Sequence, residues 1–360
     1  MPLFQSALLA LLVVGGVSAE NMLAVRARGF CEAPFDDCVN PSAIESRPPD
    51  KEGYALIMVN ASSVNPSDVD TVEGGLCTLG CGSDIAGTVV SCPGCASVKA
   101  GDEVWTCWTG SNAFAEYAQA LEDKVSIRPQ SISFTEAASI PQAGLTSYIT
   151  LKRTGPATPP GTPLVPGNPW INKSNVTVVI TAGSGGTGFV GIQLAKAWGA
   201  TRIVTASTGE GVDFCYALGA TLVVDYKEQD VFTALADDSV DYVYDNYGEE
   251  GTADVAMRTI RSGGVYILLP HSECFVTASQ EPPCLSADPK PGVSQFNYSP
   301  ETKYAKMGLD EMAGMFDAGV LSPRIDSVYP MSNIAAAFNR SAGSGAGGTS
   351  SHYGKIGVEM

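Results

Sequence analysis

A glycine-rich turn set between a strand and a helix restricts this chain more than any other feature. Residues 176–181 form a continuous apolar, β-branched run, and Gly183-Ser184-Gly185-Gly186-Thr187-Gly188 follows at once. A helical pattern then runs over 189–198. In a chain with 39 glycines the spacing G-x-G-x-x-G arises by chance, so its setting carries the weight. Beyond it, strands are expected over 202–207, 222–225, 240–245 and 264–269, with helices ending at Leu218 and spanning 252–260. Apolar strands alternating with helices imply a parallel sheet covered on both faces.

Strand, glycine turn and helix in that order form a Rossmann dinucleotide fingerprint. Gly183 permits the tight turn, Gly185 lets backbone approach a pyrophosphate, and Gly188 lets helix and strand close together. The helix start offers unpaired N–H groups and positive partial charge to the anion. An NAD site places Asp or Glu at the end of the second strand. Here that strand ends in Ala206-Ser207-Thr208, and the first acid is Glu210. A carboxylate would repel a 2′-phosphate, so a hydroxyl at Ser207 favours NADPH.

Upstream, strands are expected over 54–59, 85–90 and 104–108, and helices over 134–142 and 145–152. Ser133 with Glu136 makes a capping box for the first helix. Proline- and glycine-rich residues 155–169 and irregular residues 270–300 read as insertions. A helix over 303–318, a strand near 325–329, a Gly/Ser loop over 341–351 and a last strand complete the pattern.

Residues 1–19 carry no charged side chain and end Val17-Ser18-Ala19, the pattern of a secretory signal peptide. Ten cysteines follow it, with Asn-x-Ser/Thr triplets at Asn60, Asn172, Asn175, Asn297 and Asn339. Secretion, disulfides and glycosylation are therefore expected together. Cys31 with Cys38 and Cys274 with Cys284 are local bridge candidates, and Cys215 reads as a buried thiol. Cys77, Cys81, Cys92, Cys95 and Cys107 leave a thiolate zinc site as the competing reading. Two histidines, His271 and His352, exclude a multi-histidine metal site. A net charge of −17 disfavours nucleic acid and anionic lipid as partners.

From about residue 56 to the end, ordered motifs resemble the medium-chain dehydrogenases/reductases, in their zinc-free quinone oxidoreductase and enoyl reductase branch. They are Val64-Asn65-Pro66-Ser67-Asp68, Gly82-Ser83-Asp84-Ile85-Ala86-Gly87, Gly101-Asp102-Glu103-Val104, Ala115-Glu116-Tyr117 and Gly144-Leu145-Thr146-Ser147-Tyr148. The glycine turn matches the branch's A-x-x-G-G-x-G form from Ala182 to Gly188. The resemblance implies an α/β fold: a Rossmann domain over 134–322 joined to a GroES-like, mostly-β catalytic domain over 20–133 and 323–360.

It also implies hydride transfer from NADPH to a quinone, enone or enal. Asn65 and Thr146 should then lie beside the nicotinamide. Tyr226 and Ser207 should lie near the 2′-phosphate, with Lys355 assisting. Zinc alcohol dehydrogenases carry Gly-His-Glu where this chain has Gly82-Ser83-Asp84, so no catalytic metal is expected. The expected partners are a small electrophilic substrate and a second copy of the chain in a homodimer, with no membrane span once 1–19 is removed. The competing reading of function is a non-catalytic secreted protein that keeps the fold to bind a partner or ligand.

Overall fold

The computed structural model describes residues 21–78, 80–107, 112–154, 161–269, 274, 284–298, 300–343 and 352–360. The expected signal peptide, His271 and most of the 341–351 loop lie outside the described residues.

The chain opens with an antiparallel pair, β1 (Asn21–Ala27) and β2 (Val39–Ser46), whose connection is closed by Cys31–Cys38. A seven-stranded sheet follows, built on β3 (Tyr54–Val64), β4 (Ile85–Ser91), β5 (Glu103–Thr106), β6 (Tyr117–Leu121) and β7 (Ser126–Ile127). The last two strands of the chain, β14 (Ile325–Pro330) and β15 (Lys355–Glu359), return to complete it, with β15 antiparallel to β3. Strands β8 (Thr177–Ile180), β9 (Arg202–Ser207), β10 (Leu222–Asp225), β11 (Val240–Asp245), β12 (Ile260–Leu268) and β13 (Ser294–Asn297) form a parallel sheet in the order β10-β9-β8-β11-β12-β13. The order reverses between β8 and β11, and ligands of open parallel sheets bind at such a switch point, outside the carboxyl ends.

The helices follow local chemistry, and α1 (Pro66–Glu73) starts at Asn65 with Pro66 in its first turn. Ser133 accepts from the Glu136 amide at 3.2 Å while its own amide donates to Glu136 at 2.8 Å, which starts α2 (Phe134–Ala138) as the capping box requires. Pro141 then occupies the first turn of α3 (Pro141–Arg153), where its missing N–H costs nothing. The two helices expected here therefore meet at Ser139-Ile140, earlier than the apolar pattern suggested. α2 packs on β3, β4 and β15, whereas α3 packs on α4 (Gly186–Ala197). α4, α5 (Glu210–Leu218) and α6 (Thr252–Thr259) flank the parallel sheet, and α7 (Ala305–Asp317) packs on α3.

One expectation is overturned. Residues 270–300 are not wholly an irregular insertion, because β13 inside them is the sixth strand of the parallel sheet. It sits at the edge, half-exposed, so its sequence Ser-Gln-Phe-Asn needs no apolar run. The chain also holds four disulfides, Cys31–Cys38, Cys77–Cys81, Cys92–Cys95 and Cys274–Cys284. Cys107 and Cys215 stay free and buried. The middle cysteines thus pair locally, and among the described residues no group of three or more His, Cys, Asp or Glu is placed to hold a metal. No helix among the described residues is long and apolar enough to cross a membrane.

Candidate active site

The glycine turn leaves β8 at the switch point. Ala182 adopts φ 47°, a left-handed conformation that turns the chain sharply into α4. At Gly183 a Cβ would run into the Thr205 side chain of β9, and at Gly188 it would lie 2.7 Å from the Gly183 Cα. Those two glycines answer to the protein's own packing. Gly185, the residue ahead of α4, has an ordinary φ of −77°, and a Cβ there would meet one atom, the Ala182 carbonyl oxygen at 3.3 Å. Its bareness opens the start of α4, where unpaired amides and helix dipole favour a phosphate. Ser184, Gly186 and Thr187 complete the rim.

Around this turn the carboxyl ends of the strands supply hydroxyls. Ser207, buried at the end of β9, donates to Ser184 Oγ at 2.9 Å. The Tyr226 amide donates to the Ser207 carbonyl at 3.3 Å, which sets this exposed tyrosine beside it. Tyr353 reaches the same corner, its hydroxyl 3.4 Å from the Thr208 carbonyl. The corner is lined by hydroxyls and no carboxylate ends β9; the one beside it, Asp225 at the end of β10, is engaged by Thr208 Oγ1 at 3.1 Å.

Lys355 is a correction. Its stem packs against Gly186 of the turn, but its buried ammonium is bonded to the Val64 carbonyl at 3.0 Å and to Asn65 Oδ1, not to Ser207 or Tyr226. The reason is charge: Asp84, fully buried, lies 3.7 Å away, and a buried carboxylate needs a cation or donors. Ser63 Oγ and Asn65 Nδ2 donate to Asp84 Oδ2 at 2.7 and 2.8 Å, and the Gln142 amide donates to Oδ1 at 2.7 Å. Asp68 receives the Asn65 amide at 2.8 Å. Asn65 is therefore the hub of this network, with its side-chain oxygen and nitrogen both engaged, and it ties β3 to β15 and to the start of α3.

Burial dominates the titration of the cluster. It pushes Asp68 up to about 7 from an ordinary 3.8, with Asp84 adding to the rise and the Asn65 hydrogen bond opposing it. It draws Lys355 down, against the pull of Asp84 and Asp68, and it pushes the Cys107 thiol well up. Thr146, on the first half of α3, is nearly buried and donates to the Gln142 carbonyl at 2.8 Å.

Sequence reading missed a second cluster at the switch point. Asp245, at the end of β11, accepts from Thr181 Oγ1 at 2.7 Å and from the Tyr266 hydroxyl at 2.6 Å. The Thr181 hydroxyl in turn receives the Asn246 amide at 2.8 Å. A strand ending in Asp beside another ending in Thr was the available signal.

This layout has known counterparts. The alcohol dehydrogenase GroES-like domain profile matches residues 51–154, and a zinc-binding dehydrogenase profile matches residues 218–349. The quinone oxidoreductase of Pongo abelii is 28% identical over 315 residues, covering 83% of this chain and 88% of that protein. The 2-methylene-furan-3-one reductase of Solanum lycopersicum is 30% identical over 236 residues, 61% of this chain and 55% of its own length. The Escherichia coli quinone oxidoreductase, solved complexed with NADPH, superposes with a TM-score of 0.72 at 19% identity, covering 94% of this chain and all of the other. The chain belongs to the medium-chain dehydrogenases/reductases, in their quinone oxidoreductase-like branch.

Within the branch motif Gly82-Ser83-Asp84, the Asp84 oxygens are taken up by Ser63, Asn65 and Gln142.

Proposed function

We propose that this oxidoreductase uses NADPH to reduce a quinone or a conjugated enone or enal without zinc, in the secretory pathway. The observation that carries the reading is the bare Gly185 at the start of α4, next to Ser184, whose hydroxyl is bonded to Ser207 at the end of β9 with Tyr226 alongside. NADPH supplies the hydride when bound. The residues of the chain bind and align. Amides at the start of α4 receive the pyrophosphate, and the hydroxyl corner receives the 2′-phosphate. Thr146 borders the nicotinamide, while Asn65, clamped by Lys355, Asp84 and Asp68, holds the catalytic sheet against the cofactor turn. Acceptors whose reduced form spreads its own charge need alignment more than acid catalysis.

Zinc independence rests on the serine and engaged aspartate at positions 83 and 84. The secretory address rests on residues 1–19 and on four disulfides. A homodimer belongs to the same reading, since β13 is an edge strand with one unpaired side. Titration of the purified chain tests the core of the reading. NADPH binds more tightly than NADH, and quinones or enones oxidise it with chelator present. Tighter NADH binding refutes the cofactor preference, and bound NADPH that no acceptor oxidises refutes the reductase.

A further inference from the structure

Between α3 and the ends of β12 and β13 lies a cavity of about 140 Å³. Its walls are apolar where Ile149, Ile267 and Phe296 face it. Three polar atoms on its lining are buried and have no partner: Thr150 Oγ1, Asn297 Oδ1 and the Tyr298 hydroxyl. Buried polar atoms left unpaired cost stability, so such a set is held for a ligand or a function. One end is closed by Arg153, which donates to both oxygens of Glu301 at 2.9 and 2.6 Å. That pair is neutral as a whole, so the cavity attracts no net charge.

The cavity adjoins the reacting end of the site. Thr150 lies one helical turn beyond Thr146 on α3. Strands β12 and β13 present their carboxyl ends there, on the ligand-binding side of the sheet. Drug-sized ligands occupy about 300–1,000 Å³, so this space suits one ring.

We propose that this cavity is the acceptor pocket, that it takes a small para-quinone, and that Tyr298 donates to the oxygen being reduced. The proposal rests on the reductase reading above and names its substrate. A flat ring fits between Ile149, Ile267 and Phe296. Oxygens at opposite ends of the ring meet the hydroxyls of Tyr298 and Thr150, and the O–H of the reduced product donates to Asn297 Oδ1. In the step, the quinone gains a hydride from NADPH and one proton, its two C=O bonds become C–O–H, and NADPH leaves as NADP⁺. The proton comes from water, while Tyr298 keeps its own and its O–H donates a hydrogen bond to the oxygen on which negative charge develops. Burial raises the phenol's affinity for its proton, so the donor stays charged with it through neutral pH.

The full chain and its variants Tyr298→Phe and Ile149→Ala test this, with 1,4-benzoquinone, tetramethyl-1,4-benzoquinone and hydroquinone as probes. Wild type favours the unsubstituted quinone. Tyr298→Phe lowers kcat/KM for it about tenfold, the scale of one hydrogen bond to developing charge, with NADPH affinity unchanged. Ile149→Ala widens the wall and shifts preference towards the tetramethyl quinone. Hydroquinone quenches tryptophan fluorescence of the cofactor-free protein, and Tyr298→Phe weakens that binding. Turnover and hydroquinone binding that neither substitution alters overturn the pocket and leave the reductase reading standing. Hydroquinone binding that depends on Tyr298, with no quinone turned over, overturns the reductase reading and the donor role together.

Discussion

The two halves of the site are built by opposite means. On the parallel sheet, the cofactor corner is made of backbone and small groups: Gly183, Gly185 and Gly188 with the hydroxyls of Ser184 and Ser207. In the catalytic domain, the corresponding corner is made of buried charge: Asp84, Asp68 and Lys355 locked through Asn65. The first kind of site is formed as soon as the strand and helix are, because a helix start carries its own partial charge. The second exists only when strands far apart in the chain bring opposite charges together, because each charge alone would be costly to bury. Damage at Gly185 in the first should spare the fold and end binding, and damage to the second should cost stability first.

Lys355→Met gives the largest effect expected. It leaves Asp84 without its buried cation and lowers stability by about 3–5 kcal/mol, measured by urea unfolding. A variant as stable as wild type would show that Asp84 is served by Ser63, Asn65 and Gln142 alone. In the other half, Gly183→Val and Gly185→Val separate packing from binding. The first forces a side chain against Thr205 and costs about 1–3 kcal/mol. The second changes stability by less than about 1 kcal/mol yet abolishes NADPH binding by fluorescence titration. Equal melting losses for the two would mean that Gly185 too serves packing.

The next effect is a dependence on pH. Asp68 in the folded chain holds its proton up to about 7, above its ordinary 3.8. Its contribution to stability is therefore whole below that ordinary value and is lost as pH rises through about 7. Urea melts across that window should show Asp68→Asn losing less stability with rising pH than wild type does. Parallel curves would place the titration elsewhere. The smallest effect concerns the sequons, and it presupposes the secretory reading. Asn172 and Asn175 are exposed, whereas Asn339 donates to Asp36 at 2.8 Å and accepts the Phe35 amide at 2.9 Å. Asn60 accepts from Thr88 inside β3, and Asn297 lines the cavity. Mass spectrometry of secreted protein should find glycan at Asn172 or Asn175 and none at the other three, with little change in melting on enzymatic removal.

Local reasoning served the parallel sheet well, since β9, β10 and β11 begin and end where their apolar runs do. It failed at β13, whose four residues have no pattern of their own and become a strand because β12 offers a free edge. The places of the glycine turn between β8 and α4 and of Ser207 at the end of β9 were legible because both are set by local sequence. Lys355 was assigned to the wrong neighbours, because five residues of strand sequence say nothing of which sheet, or which buried carboxylate, the strand will meet.

By itself, the sequence determined the glycine turn between a strand and a helix and its hydroxyl-ended second strand, and it offered Cys31–Cys38 and Cys274–Cys284 as candidate bridges that the structure forms. Each is a matter of residue type at short spacing, where backbone geometry follows from composition. Tertiary structure alone decided that Asn65 is a hub, that Asp245 is shared between Thr181 and Tyr266, and that Thr150, Asn297 and Tyr298 line one cavity. Those residues lie tens to hundreds of positions apart. Their roles come from the low-dielectric interior they share, where every charge and hydroxyl must find its partner across the fold.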